Sequence, residues 1–567
     1  MFDEEELSRL IEAERQRFEV PGVAVAVVAD GEVVMARGFG QRDLENDLPV
    51  TGASLFPIAS DTKCFTAALV AGLVDDGLLD LDRPVQDYIP WFRMYDPIAT
   101  ALVSARDLLA HRTGLPRHDF VWYGPTIDQS NEEIARLLRH LPPTRQVREQ
   151  WQYNNLCYST AGYLAEHLLG IGWEEAVQQR ILDPLGMKST VFRADEASTS
   201  VDYAWPYEDR TGAFVRAEVP QGRGKPSGGI VSSAEDMARW ALARLGIEVD
   251  GTKVLSDATL QEIHTPAMVG RAGSPLSGER QSMGYGLGTQ VESYRGHALV
   301  RHGGNLVGYS SDVCVAPDAK AAVVVLTNLH GTALRDALPM LVFDRLMGLE
   351  PIEWGEKLHA TMTTAKAGQR AANQHHAEGG RGRPSARPLD ELAGTYEHPA
   401  YGTFTIEVDG EVDGGGLVPR FHGIPDLSLT HRDLEAWDLT VAVFEVTVPL
   451  IFQTGPDGEV ASLTAAIEPS GAPIPFTRVI ATPPRAALEK LVGAYAMESM
   501  TVEFALHPTS DTLVATLPSV GRSVLLPRGG LVFGLEASPA ARIEFETDGD
   551  ATPTRVVIDP LGIFVPQ

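Results

Sequence analysis

Three features of this 567-residue chain predict an α+β fold: an antiparallel sheet flanked by helices, followed by two small antiparallel β-barrels. The first two are strand-like segments at either end of residues 1–355, "GVAVAVVADGEVVMARGFG" from 22 and "AAVVVLTNLHG" from 321, with helical periodicity between them. Such a pattern suits an antiparallel sheet that draws strands from both ends, its outer strands closed by distant parts of the chain, with a helical region inserted. The third is a repeat. "LDELAGTYEHPAYGTFTIEV" from 389 and "LEKLVGAYAMESMTVEFAL" from 488 share L-x-x-L-x-G-x-Y and then alternate as strands do. Many short strands with glycine and aspartate turns in each copy predict a small antiparallel barrel.

The elements follow in chain order. The amino terminus, "MFDEEELSRLIEAERQRF", is acidic and amphipathic and lacks the basic segment and apolar run of a secretory signal, so a cytoplasmic location is expected. After the first hairpin, "CFTAALVAGLVDDGLL" spaces its apolar residues as a buried helix does. "HRTGLP" has the glycine and proline stops of a helix end, which makes His111, and His118 beyond it, structural rather than catalytic. In "SSAEDMARW", Ser233 and Asp236 have capping-box spacing. "AAVVVLTNL" is too short to span a bilayer and reads as a buried strand. The first domain is therefore 1–355. "TTAKAGQRAANQHHAEGGRGRPSARP", small, polar and without periodicity, makes 356–388 a linker, and the barrels take 389–484 and 485–567.

Composition narrows the partners. Hydrophobic residues make up 44% and charged residues 22%, ordinary for a folded globular protein. A formal charge of −29 disfavours nucleic acid and anionic membrane surfaces, because binding phosphates needs clustered Lys and Arg. The expected partner is a small-molecule or short-peptide substrate; self-association into a homo-oligomer is left open. Cys64, Cys157 and Cys314 lie far apart with no C-x-x-C pair and are expected as core thiols. His375 and His376 in the polar tract are taken as incidental, so no metal and no cofactor is assigned.

Among eight lysines, Lys63 alone has a serine three residues before it. Ser60 stands at the start of the buried helix and Lys63 one turn further on. That placement suits a nucleophile, because a helix amino terminus favours an oxyanion nearby and a desolvated lysine can exchange protons with a facing hydroxyl. Capping by Ser60 is the structural alternative. Two further segments carry chemistry: "QYNNLCYSTAGYLAEHL" offers Tyr153 and Asn155 just before a helix, and "VRHGGNLVGYSSDVCVAP" offers His302, Gly303 and Gly304 on a strand.

Ser60-x-x-Lys63, Tyr153-x-Asn155 and His302-x-Gly304, in that order, resemble the three motifs of the serine β-lactamase and penicillin-binding-protein superfamily. "ARDLLAHRTGLPRHD" and "GGIVSSAEDMARW" are similar to connecting segments of its class C-like CubicO group, and the likeness covers 1 to about 350. The resemblance implies that Ser60 attacks an acyl carbonyl, that Lys63 and Tyr153 move its proton, and that Asn155 orients the substrate. It also implies an oxyanion hole made by the backbone N–H groups of Ser60 and Asn305. Penicillin-recognising members carry lysine where this chain has His302, whereas D-aminopeptidases and D-amino-acid amidases carry H-x-G. The D-aminopeptidases also append two lipocalin-like barrels, one of which sends a loop to the active site. The expected function is thus a serine hydrolase of small amides or peptides, D-aminopeptidase-like. A carboxylesterase or an acyltransferase such as a peptide cyclase is the alternative, and a β-lactamase or D-Ala-D-Ala carboxypeptidase is less favoured. A non-catalytic binding protein on the same fold is the rival from another class.

Overall fold

Strand β1 (Gly22–Ala29) is the hinge of the architecture: it pairs on one side with β2 (Glu32–Asp43) and on the other with β8 (Ala321–Thr327), almost 300 residues later. The computed structural model describes residues 3–123, 129–210, 212–220, 225–269, 278–378, 382–410, 416–421, 424, 426–442, 446–480, 482–518, 520–548 and 552–567. Its eight-stranded antiparallel sheet runs β3-β2-β1-β8-β7-β6-β5-β4. Here β3 is Leu48–Pro49, β4 is Arg280–Tyr285, β5 is Gln290–Tyr294, β6 is His297–Leu306 and β7 is Tyr309–Ala316. Strands from the two ends of the first domain therefore meet at the centre of the sheet and not, as the sequence suggested, at its outer strands. The reason is burial. β1 and β8 are valine- and alanine-rich on both faces and almost wholly buried, which is the composition of a central strand.

Alternation assigns the two faces. Val23, Val25 and Val27 join Leu7 and Ile11 of helix α1 (Glu4–Arg17) and Leu338 of α5 (Leu334–Leu346) in one core. Helix α4 (Ala234–Arg244) packs across β1 and β8 as well. Between β3 and β4 lie α2 (Thr62–Asp75) and α3 (Asn155–Leu169), which pack on each other. Ser233 accepts the Asp236 N–H as a cap, but Asp236 turns its carboxylate to the Ser189 N–H at 2.8 Å, so only half of the expected capping box forms. The three cysteines are buried thiols.

The chain divides into two units, Met1–Gln374 and His375–Gln567. Where a linker was expected, helix α6 (Trp354–Glu378) continues the first unit. Its anchor was legible: Trp354, Leu358 and Met362 are spaced four apart and pack on the core, and the Trp354 indole N–H donates to Asp344 at 3.0 Å. The side chains of His375 and His376 lie outside the described residues.

In the second unit, eight strands from Gly394–His398 to Ile474–Val479 form a sheet whose first and last strands pair, Tyr396 opposite Arg478. Eight more, from Gly493–Met497 to Gly562–Pro566, close into a barrel. The repeated motif has the same geometry in both copies. A short helix, Leu389–Leu392 or Arg485–Leu491, ends in a glycine at positive φ, Gly394 at 150° and Gly493 at 153°. The tyrosine hydroxyl then ties back to the helix, Tyr396 to the Leu392 carbonyl at 2.8 Å and Tyr495 to that of Leu491 at 3.1 Å. The glycine is needed because other residues strain at that φ, and the tyrosine satisfies an orphan helix carbonyl. Aromatic side chains fill the second barrel, with the Phe504 and Phe545 rings 4.8 Å apart.

Candidate active site

Ser60 sits on a single 3₁₀ turn, Ala59–Asp61, that feeds directly into α2. Ala59 before it has φ +48°, a left-handed conformation that costs an alanine about 1–3 kcal/mol and must be held by its surroundings. Those surroundings are specific. Ile58 donates its N–H to the Ile230 carbonyl at 3.0 Å, and the Ser311 hydroxyl reaches the Ile58 carbonyl at 2.7 Å. Gly304 on β6 packs flat on the turn: a Cβ there would stand 2.2 Å from the Ile58 oxygen and 2.4 Å from Ser311 Oγ. Gly304→Ala is therefore expected to push β6 off the turn, costing about 1–3 kcal/mol of stability and most of the turnover, read by thermal melting and steady-state rates.

Ser60 does not cap the helix. Its Oγ accepts from the Tyr153 hydroxyl at 2.9 Å and lies 3.2 Å from Lys63 Nζ. Lys63 is fully buried, and its Nζ also reaches Asn155 Oδ1 at 2.8 Å and the Ser227 carbonyl at 2.5 Å. Burial, and then the Arg117 guanidinium nearby, hold the Lys63 amine well below the usual lysine range. Burial pushes the Tyr153 phenol above its usual range, opposed by its bond to Ser60. Asn155 opens α3, and Asn154 caps that helix by accepting from the Cys157 N–H at 2.9 Å.

His302 on β6 is buried, and its partners fix its tautomer. Nδ1 is 2.9 Å from the Gly303 carbonyl, which only accepts, so Nδ1 carries the proton and Nε2 accepts from the Tyr285 hydroxyl at 3.0 Å. Burial, and then Lys63, depress its pKa well below the usual imidazole value, which keeps the ring neutral. Asn305 follows Gly304 on the same strand, exposed, with its side-chain oxygen accepting from Ser310 at 2.9 Å.

The structure thus brings Ser60, Lys63, Tyr153 and Asn155 into one hydrogen-bond network, with Gly304 against its base and the His302 ring 6.3 Å from that of Tyr153. Several participants carried no sequence signal. Ser227 receives Lys63 through its carbonyl and the Trp122 indole through its hydroxyl at 2.8 Å. Arg117 lies over the Tyr153 ring, 4.9 Å from its centroid, and pairs with Asp119. His111, buried at φ +55°, accepts the Asn154 N–H at 3.1 Å and packs 4.4 Å from the Tyr153 ring, a supporting position.

The beta-lactamase family model matches residues 7–346, well over half of the chain. The chain belongs to that family. A second model, described only as a domain of unknown function, matches 380–478. As a beta-lactamase family member the chain has wide company. The unguisins hydrolase ungD' of Aspergillus campestris is 29% identical over 491 residues, spanning 82% of this chain and 90% of its own. The octameric penicillin-binding protein homologue from Pyrococcus abyssi shares the fold over 92% of this chain and all of its own, at TM-score 0.55 and 21% identity. The D-amino acid amidase from Ochrobactrum anthropi SV3, solved with L-phenylalanine, is 25% identical at TM-score 0.50, covering 60% of this chain and 98% of its own. Among the described residues, no helix is long and apolar enough to cross a membrane.

Proposed function

We propose that this protein is a serine hydrolase that cleaves small amide or peptide substrates through an acyl-enzyme, with D-aminopeptidase-like preference. The observation that carries the reading is the set of partners around Lys63 Nζ. A neutral amine has two N–H bonds and one lone pair. The Asn155 and Ser227 oxygens, at 2.8 and 2.5 Å, can only accept and so take both N–H bonds. The lone pair is left facing Ser60 Oγ at 3.2 Å, the longest of the three contacts. This is the arrangement of a general base poised on a nucleophile, and the depressed lysine pKa suits it.

In the proposed cycle Ser60 Oγ bonds to the acyl carbon as its proton passes to Lys63. The oxyanion is received by the backbone N–H groups of Ser60 and Asn305. The proton leaves through Tyr153, whose phenol stays protonated at neutral pH, to the departing amine. Water then repeats the sequence on the ester. Asn155 spends its carbonyl oxygen on Lys63, which frees its amide N–H₂ for a substrate carbonyl. The neutral His302 supplies no fixed cation for a free carboxylate, which favours amides and amino-terminal substrates over penicillins. Relatives named as an amidase and a hydrolase support the same class.

Paired D- and L-aminoacyl p-nitroanilides, run beside p-nitrophenyl acetate and butyrate, test the substrate side. Faster release from the D-anilides is the expected result. Turnover of the esters alone would replace the amidase reading with an esterase, and aminolysis outpacing hydrolysis would make the protein an acyltransferase.

A further inference from the structure

We propose that Asp61 works as a neutral carboxylic acid, a positioning residue whose proton ties the Ser60 turn to the sheet and whose ionisation switches the site off at alkaline pH. The residue stands directly after the candidate nucleophile and is fully buried. Ser311 Oγ on β7 lies 2.7 Å from the Ile58 carbonyl oxygen and 2.5 Å from Asp61 Oδ2. A serine hydroxyl has one proton, and a carbonyl oxygen can only accept. The Ser311 proton therefore goes to Ile58, leaving a lone pair of Ser311 facing Asp61. Two oxygens at 2.5 Å need a proton between them, and the carboxyl is the group that can supply it. The other carboxyl oxygen, Oδ1, is buried with no hydrogen-bond partner among the described residues, a tolerable state for a neutral acid's carbonyl and a costly one for a carboxylate.

The charged neighbours agree. Asp312 on β7 faces Asp61 with like charge, while Arg244 on α4 and Arg335 on α5 oppose it. Both cations are engaged elsewhere: Arg335 donates to the Gly304 carbonyl at 2.5 Å, and Arg244 leans on the Val313 and Val300 carbonyls. Lys63 and Cys64 at the start of α2 and Tyr153 from the segment before α3 are the other titratable groups around it among the described residues. Burial, and then Asp312, push the Asp61 carboxyl up to about 8.

The chain of acid Asp61, hydroxyl Ser311 and carbonyl Ile58 clamps the turn that holds Ala59 in its left-handed conformation. Loss of the Asp61 proton has two effects of the same sign. The carboxylate takes the Ser311 proton away from Ile58 and frees the strained turn. The new negative charge also favours the protonated form of Lys63, which then has no lone pair for Ser60. Neither Tyr153, pushed upward, nor Lys63 and His302, pushed downward, would produce a fall in activity just above neutral pH.

The test compares the parent with Asp61→Asn, which keeps an N–H donor toward Ser311 and cannot ionise, and with Asp61→Ala, which keeps neither. Infrared difference spectra should show a protonated-carboxyl stretch at pH 7 in the parent that is absent from D61N. In parent protein carrying ¹³C-aspartate, that band should titrate away with a midpoint near 8. Turnover of the parent should fall through the same midpoint. D61N should keep most of the pH 7 rate and lose the alkaline fall, while D61A should lose ~10-fold or more through misplacement of Ser60. Absence of the protonated-carboxyl band at pH 7, or the same alkaline limb in D61N as in the parent, overturns the proposal. The kinetic arm rests on Ser60 being the nucleophile. The infrared arm does not, so if Ser60 proves dispensable the band still decides whether Asp61 holds the proton.

Discussion

Ser60→Ala is expected to lower kcat by ~10⁴-fold or more on whichever substrate of the panel the parent turns over, while leaving the fold in place. Ser60 is part-exposed, and most contacts among the other members of the site do not run through it. Lys63 keeps Asn155 and Ser227, and the turn keeps its bonds to Ile230 and Ser311. The Tyr153 hydroxyl and Lys63 Nζ each lose one partner, at a cost of about 1 kcal/mol apiece. The residue of activity comes from the oxyanion N–H groups and substrate positioning, which the substitution spares. Loss of fluorophosphonate labelling, with an unchanged melting temperature to within a few degrees, should accompany the loss of rate. A variant within ~10-fold of the parent would mean that another group carries the chemistry.

The pattern of chemistry was legible because it is short-range. Ser60 and Lys63 are one helical turn apart, and Tyr153 and Asn155 flank a helix start, so each pair is fixed by local geometry. The barrels were legible for a similar reason: the glycine and tyrosine of the repeat answer to the same positive φ and the same orphan carbonyl in each copy. What escaped the sequence is non-local or main-chain. Ser227 serves Lys63 through a carbonyl that any residue has, and Tyr285 meets His302 across the sheet from 17 residues away. The place of β1 and β8 at the centre of the sheet follows from their apolar residues on both faces, but their pairing with each other joins residues almost 300 apart and carries no local signal. Helix α6 escaped because the expected boundary at 355/356 splits its apolar anchor, leaving Trp354 in the first domain and Leu358 and Met362 with the polar tract.

Lys63→Met tests the one group whose partners argue for a proton acceptor. Methionine fills a similar length without a lone pair basic enough to take the Ser60 proton, so acylation should slow ~10³-fold. It also leaves the Asn155 and Ser227 oxygens without the N–H bonds they now receive, a penalty of about 1–3 kcal/mol for each that water does not reach. Rate and stability should therefore fall together, unlike in Ser60→Ala, where the loss of rate far outweighs the loss of stability. The pH dependence separates the two roles further. The active form of Lys63 is the neutral amine, and its pKa is depressed, so kcat/KM of the parent should rise with pH through a midpoint well below that of an ordinary lysine. That acid limb should vanish in Lys63→Met, because the residual rate depends on no amine. Persistence of the limb would assign it to another group, and His302, also depressed by burial, would be next in line. A lysine kept protonated would donate to all three oxygens and leave Ser60 no acceptor for its proton. Burial favours the neutral form instead, and with Asn155 and Ser227 holding its two N–H bonds the lone pair is left to the longest contact, Ser60 at 3.2 Å.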